Sequence, residues 1–139
     1  MRTALRWLQT PTDWTSLIMS GSRTVLFVYV AWSSYAVSGR RMMEQAERRW
    51  ANEYGDSPVS WCAVDVEAGA VSRPVADWLA VQQPITGLSA EQLMMSGWGS
   101  IIWIEHGKAI GLVSVACKSS VEGILATTRD VFGVSLTVE

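Results

Sequence analysis

The side chains in this sequence that could carry chemistry are two cysteines, one histidine and a pair of adjacent serines. Cys62 and Cys117 lie far apart and match no metal-binding spacing. His106 is the one histidine, so the residue count excludes a Cys/His zinc site. No histidine or lysine is placed to activate Ser33 or Ser34, as a hydrolase triad requires. We therefore predict neither a metal site nor a cofactor.

The serine pair lies between a strand pattern and a helix pattern. Val25–Trp32 is a run of eight apolar residues, typical of a strand that is buried on both faces. From Ser34 to Tyr54 apolar residues recur every three or four positions, which predicts a long helix, and Gly55 follows at its end. A buried strand that runs into a helix brings the helix N-terminus to the carboxyl edge of the sheet. Binding sites of α/β folds often lie there.

Similar patterns predict the other elements of an α/β fold. They are a strand at Leu5–Gln9, a helix begun by Thr10 and Pro11, a strand at Val59–Val66, a helix capped by Ser72, a hairpin of Ser100–Glu105 and Ala109–Ala116, and a last helix from Ser119 or Ser120 to Gly133. His106 and Gly107 form the hairpin turn, where histidine tolerates a positive φ. Before the hairpin, Ser89 and Gln92 form a capping box inside an ordered helical insertion at 82–97.

Length and composition predict one domain spanning residues 1–139, with its core at 5–133 and a tail at 134–139. A net charge of −2 and a pI of about 5.4 argue against a nucleic-acid partner. No apolar run approaches the roughly 20 residues of a membrane span, so no membrane partner is predicted. The N-terminus lacks the apolar core of a signal peptide, which predicts a cytoplasmic location if Met1 is the natural start.

The order of these elements resembles the thioredoxin fold. Four segments carry the resemblance: Val25–Trp32 followed by its helix, Val64-Asp65-Val66, the stretch Gly97–Ile104 (GWGSIIWI), and Glu105–Lys108 in the hairpin. The resemblance covers about residues 5–133 and leaves the segment at 82–96 unmatched. It implies a central mixed sheet of four to five strands flanked by helices, with an insertion before the final β-hairpin.

The residues that carry the chemistry of thioredoxins are missing. That family has Trp-Cys-x-x-Cys at the strand–helix junction, whereas this chain keeps Trp32 but has Ser33 and Ala36 at the two cysteine positions. Disulfide exchange needs one thiolate that attacks and a second thiol that resolves. Phe27 stands where the family buries an acid, and Gly99 where it has a cis-proline. These losses exclude a dithiol–disulfide oxidoreductase; the sequence does not define the peptide isomer before Gly99.

The resemblance also implies a groove at the former redox edge. Its residues would be Trp32, Ser33, Ser34, Tyr35, Trp98, Gly99 and Ser100. We predict a redox-inactive module that binds a protein or peptide there, in an adaptor or chaperone-like role. The identity of the partner is not defined by the sequence.

Four alternatives remain open at this stage. The aromatic residues of the groove could simply pack together and bind nothing. A glutathione- or thiol-binding enzyme could use the hydroxyl of Ser33 or Tyr35 at the helix N-terminus. Met94 and Met95 make a homo-oligomer conceivable. Cys117, at the end of the last strand, is either a reactive thiol near the helix start or a small buried hydrophobe.

Overall fold

The computed structural model describes residues 5–55, 58–67 and 69–134. Within these ranges the elements are β1 (Arg6–Leu8), α1 (Pro11–Met19), β2 (Thr24–Tyr29), α2 (Ser34–Glu53), β3 (Ser60–Asp65), α3 (Ser72–Thr86), α4 (Ala90–Met95), β4 (Ile101–Glu105), β5 (Lys108–Val113) and α5 (Val121–Phe132). A short 3₁₀ turn, Ala116–Lys118, precedes α5. The predicted order of elements is confirmed. The predicted tail at 134–139 lies, apart from its first residue, outside the described residues.

The strands form one mixed sheet in the order β1-β3-β2-β4-β5. β1, β3 and β2 are parallel, and β4 and β5 are antiparallel to their neighbours. Val25 and Phe27 point to the face covered by α2 and α5, whereas Leu26 and Val28 point to the face covered by α1, α3 and α4. Successive side chains of β2 therefore alternate between two separate hydrophobic cores. This confirms a central strand that is buried on both faces.

The long helix α2 connects the two ends of the molecule. Its buried face includes Ala36, Gly39, Met43 and Trp50. Twenty residues with a rise of 1.5 Å each make it about 30 Å long. Because α2 starts where β2 ends, its N-terminus lies at the carboxyl edge of the parallel strands and its C-terminus at the opposite edge.

Two details around α3 differ from the sequence-based expectation. Ser72 is the first residue of the helix rather than its cap; its Oγ donates to the carbonyl of Val66 (2.5 Å) instead of accepting a helix N–H. The helix also continues past residue 82 and includes Pro84. Pro84 is tolerated because the missing hydrogen bond would have gone to Ala80, which is exposed to solvent. The predicted insertion at 82–97 therefore begins only after Thr86.

The other capping predictions hold. Thr10 and Asp13 form a reciprocal capping box at the start of α1, and Ser89 and Gln92 form another at the start of α4. His106, in the hairpin turn, has a φ of 55°. None of the helices in the described part of the chain is long and apolar enough to cross a membrane.

Candidate functional site

Ser33 stands where the resemblance implies the first cysteine, and both hydrogen bonds of its hydroxyl are to backbone groups. Its side chain is buried, its hydroxyl donates to the carbonyl of Gly97, and its oxygen accepts from the backbone N–H of Ala36 (3.4 Å). As the N-cap of α2 it thus ties the helix start to the segment before β4. The single proton of the hydroxyl already has an acceptor, so Ser33 offers no free donor to a bound thiol.

The segment 97–99 passes directly against the start of α2. Gly97 and Gly99 have φ values of 77° and 68°, which favour glycine. A Cβ on Gly97 would lie 2.6 Å from the indole ring of Trp32, and one on Gly99 would lie 2.9 Å from the Cα of Ala36. No peptide bond of the described residues is cis, so the bond before Gly99 is trans. Glycine suits the left-handed backbone at both positions, and at Gly99 the close atom belongs to the backbone of α2, so a side chain there would push the two segments apart.

Trp32 and Tyr35 point outward from this closed junction. Trp32 is 64% exposed and Tyr35 49% exposed, and Ser34 between them is also exposed. The Nζ of Lys118 lies 5.8 Å from the centre of the Tyr35 ring, in a cation–π arrangement. Trp98 is half-buried, and its backbone N–H donates to the Oγ of Ser96 (3.3 Å). Aromatic surface thus remains in solvent at the start of α2.

Gly99 and Ser100 act as supports behind this surface. Ser100 is buried; its carbonyl accepts from the N–H of Val28 (2.9 Å), and its Oγ donates to the carbonyl of Ser114 (2.6 Å). The carbonyl of Gly99 accepts from the N–H of Ala116 (3.0 Å). These bonds fix the start of β4 to β2 and to the end of the hairpin. Of the predicted groove residues, Trp32, Ser34, Tyr35 and Trp98 retain accessible surface, whereas Ser33, Gly99 and Ser100 position them.

The described structure also places the residues that bear on thiol chemistry. Phe27 is fully buried, and a Cβ on Gly39 of α2 would lie 3.1 Å from its ring, so an apolar contact occupies the position where the resemblance implies an acid. Cys62 is buried in β3, and burial raises the pKa of its thiol to about 11, although Arg6 acts in the opposite direction. Cys117, in the 3₁₀ turn beside Lys118, is half-buried. Across residues 5–55, 58–67 and 69–134, no group of three or more His, Cys, Asp or Glu side chains could hold a metal ion.

Sequence reasoning missed two contributors to this region. It used Gly97 only as the first residue of the stretch that carries the resemblance, although its carbonyl receives the Ser33 hydroxyl. It did not consider Lys118, which the 3₁₀ turn brings over Tyr35. The two glycines of Gly97-Trp98-Gly99 were the available signal for a close backbone approach. No local pattern indicated the position of Lys118.

Comparisons with known proteins define the fold. No protein-family description matches the chain by sequence, and no curated protein is similar to it. Among solved structures, thioredoxin from Malassezia sympodialis superposes with a TM-score of 0.63 at 13% identity, covering 93% of this chain and 91% of that one. Thioredoxin O2 from Arabidopsis thaliana gives 0.61 at 15% identity, covering 94% and 96%. The zinc-bound form of human ERp44 gives 0.62 at 13% identity, and the match covers 92% of this chain but 30% of ERp44.

These likenesses span nearly the whole chain, whose mixed five-stranded sheet is flanked by helices. The chain therefore has the thioredoxin fold. Sequence identities of 9–15% show the fold alone, and they say nothing about activity.

Proposed function

We propose that this chain is a redox-inactive module with the thioredoxin fold that binds a protein or peptide through its aromatic edge, which we define as Trp32, Ser34, Tyr35 and Trp98. The observation that carries the proposal is the exposure of Trp32 and Tyr35 beside a buried, fully engaged Ser33. The junction keeps Ser33 inside, and what it presents to solvent is aromatic surface.

The aromatic edge has the properties of a recognition surface. Tryptophan and tyrosine dominate the energetics of many protein interfaces because they bury a large area when a partner covers them. Tyr35 extends from the first turn of α2 and Trp32 from the turn just before its N-cap, so little order has to be imposed on binding. The first turn of α2 contains no acidic residue, and Lys118 lies over Tyr35. Backbone carbonyls or carboxylates of a peptide would find favourable partners there.

The same geometry argues against thiol chemistry at this edge. A dithiol cycle needs two sulfur atoms in reach of each other. Ser33 and Ala36 supply none, and Cys62 is held in the middle of the sheet. Ser33 has its proton on the Gly97 carbonyl, which also disfavours its use as a thiol-positioning hydroxyl.

A peptide selection tests the proposal. A random peptide library is panned against the native domain, and the selected peptide is titrated against a Trp32→Ala, Tyr35→Ala double variant. We expect affinity to fall by about tenfold or more, since each aromatic anchor contributes on the order of 1 kcal/mol or above. The matched control is a Val81→Ala, Ile85→Ala variant on α3, whose side chains are 72% and 58% exposed; it should bind like the native domain.

Three results would contradict the proposal. An equal loss of peptide affinity in both double variants would show that the peptide binds any exposed apolar surface and not the aromatic edge in particular. Undiminished binding by the Trp32, Tyr35 variant would locate the site elsewhere. Spectral changes at Tyr35 on adding millimolar glutathione would favour the thiol-binding alternative instead.

A further inference from the structure

An open groove lies between the first turns of α3 and the short helix α4. Its volume is about 590 Å³, within the range of about 300–1,000 Å³ that is usual for binding sites. Because α4 belongs to the segment that the sequence resemblance leaves unmatched, the groove lies outside the site that the resemblance implies. It is therefore a separate feature, which has to be interpreted from its own residues.

The inside of the groove is largely apolar. Val66, Ala76 and Ala90 line it, are half-buried and pack on the core beneath. Met94 and Met95 of α4 complete the apolar lining, and Met95 is 63% exposed. Methionine side chains are unbranched and adapt their shape, so this lining can fit apolar side chains of different shapes. Covering it would remove apolar area from water.

The rim of the groove carries two carboxylates that are available to a partner. Glu67 and Glu91 line the groove and are exposed, and neither carboxylate forms an ion pair or a hydrogen bond with a described residue. Arg73, the one basic residue of the described lining, is paired with Asp77 at 3.5 Å. The apolar lining is therefore flanked by negative charge, which favours a positively charged group on whatever binds there.

The groove adjoins the aromatic edge. Met95 is two residues before Gly97, and a Cβ on Gly97 would lie 2.6 Å from the indole ring of Trp32. Because consecutive Cα atoms are about 3.8 Å apart, the Cα atoms of Met95 and Gly97 are separated by at most about 7.6 Å. Val66 directly follows β3, and its N–H donates to the carbonyl of Tyr29 at the end of β2 (3.0 Å). Both features therefore lie at the carboxyl edge of the sheet, and an extended peptide, at about 3.3 Å per residue, spans them with roughly four residues.

We propose that the groove accepts an apolar side chain of the peptide that binds at the aromatic edge, and that a lysine or arginine next to it pairs with Glu67 or Glu91. This inference rests on the proposed function, because it extends the same surface and names the class of peptide. The two parts of the surface differ in charge, since Lys118 lies over Tyr35 at the aromatic edge whereas the groove is acidic. A second copy of this chain is a poorer occupant, because its net charge is −2.

The methionine methyl signals of the full chain report on the groove, and the indole N–H signal of Trp32 reports on the aromatic edge. The chain is isotope-labelled at both kinds of group, and Met95→Leu, Met19→Leu and Trp32→Phe variants assign the signals. Titration with the peptide selected against the native domain should shift the Met95 and Trp32 signals with the same midpoint. Met19, which is 81% exposed on α1, is the matched control and should not move.

The outcomes separate failure of this inference from failure of the proposed function. A shift of Trp32 with Met95 unmoved would overturn the inference and leave the proposed function intact. A peptide that shifts Met95 alone, or neither signal, would contradict both. A Met95 signal that changes with protein concentration before any peptide is added would show that a second copy occupies the groove, and would overturn the inference.

Charge variants test the class of peptide. A Glu67→Gln, Glu91→Gln variant keeps the size of both side chains but removes their charges, and should weaken the selected peptide about threefold to tenfold at low ionic strength. Added salt should weaken binding to the native chain more than binding to this variant. The matched control is a Glu53→Gln, Glu122→Gln variant, with the same change of charge on α2 and α5, and it should bind like the native chain. Unfolding by denaturant verifies that both variants are folded. Equal affinity of the two charge variants, or selected peptides with neither lysine nor arginine, would overturn the inference.

Discussion

The two ends of α2 use aromatic residues in opposite ways. At its N-terminal end the polar groups are paired, since Ser33 bonds to Gly97 and Ala36, and Trp32 and Tyr35 are left in solvent. At its C-terminal end Trp50 and Tyr54 are buried, and the unpaired group is the polar N–H of Trp61. One end therefore exposes apolar area to solvent, and the other contains a buried donor without an acceptor.

The difference shows that residue type alone does not define a binding surface. Tryptophans occur at both ends, yet burial decides whether the ring or its N–H is the unsatisfied group. An exposed ring gains by being covered, whereas a buried indole gains only from an acceptor. The following predictions test this contrast.

The largest expected effect is the difference between two Trp→Ala substitutions, one at each end of α2. Trp50 is 3% exposed, so Trp50→Ala should lower the free energy of unfolding by about 3–5 kcal/mol through loss of burial and a residual cavity. Trp32→Ala should lower it by less than about 1 kcal/mol, since the ring is largely in solvent. Denaturant titration measures both. Similar losses of unfolding free energy for the two variants would contradict the contrast between a buried tryptophan at one end of α2 and an exposed one at the other.

The close approach of segment 97–99 to α2 predicts a second large effect. Gly99→Ala combines a left-handed backbone with a Cβ that would lie 2.9 Å from the Cα of Ala36. We expect a loss of about 2–5 kcal/mol of unfolding free energy. Gly87→Ala is the control, because its φ of 76° is similar and nothing lies within 4 Å of its Cβ position. It should cost about 1–2 kcal/mol; equal costs would show that the packing contact is unimportant.

The next prediction concerns Cys62, whose thiol is buried in β3, in the sheet between the two ends of α2. Burial raises the pKa of its thiol from 9.0 to about 11. The unfolded chain therefore releases this proton at lower pH than the folded chain. The contribution to stability is complete below pH 9 and is lost as the pH rises through 11. Relative to a Cys62→Ala variant, the native chain should lose about 2–3 kcal/mol over this interval. Parallel pH curves for the two proteins would contradict the assignment.

The smallest of these stability effects concerns Ser33, which ties the start of α2 to Gly97. Ser33→Ala removes the cap of α2 and leaves the buried carbonyl of Gly97 without its donor, which should cost about 2 kcal/mol. Ser120→Ala is the matched control, because Ser120 caps α5 through an exposed bond to the N–H of Gly123 (2.9 Å). It should cost about 1 kcal/mol. A Ser33 variant no less stable than the Ser120 variant would show that Ser33 does not tie the two segments together.

Local patterns predicted the scaffold well. The apolar run at Val25–Trp32 and the helical spacing after Ser34 predicted β2 and α2, although the strand ends earlier, at Tyr29. Ser72 was misinterpreted because its hydroxyl bonds to the carbonyl of Val66, a contact that the chain path decides. Such side chain-to-backbone bonds compete with capping and are not visible in local spacing.

The details of the two ends depend on tertiary contacts. The burial of Ser33 follows from the path of Gly97, which lies far along the chain. The unpaired state of Trp61 follows from the packing of β3 against the end of α2. Neither could be inferred from spacing along the sequence. The absence of a Cys-x-x-Cys pair, by contrast, was readable directly from the sequence.

The central claim is that the N-terminal end of α2 is a partner-binding surface. Its most direct test is a titration of the isotope-labelled chain with the selected peptide, in which the indole N–H signal of Trp32 is followed. The account predicts a saturable shift of Trp32, while Trp78, on α3, and Trp103, in the core, remain unchanged. A peptide that binds with the Trp32 signal unmoved, or that shifts Trp78 instead, would contradict it.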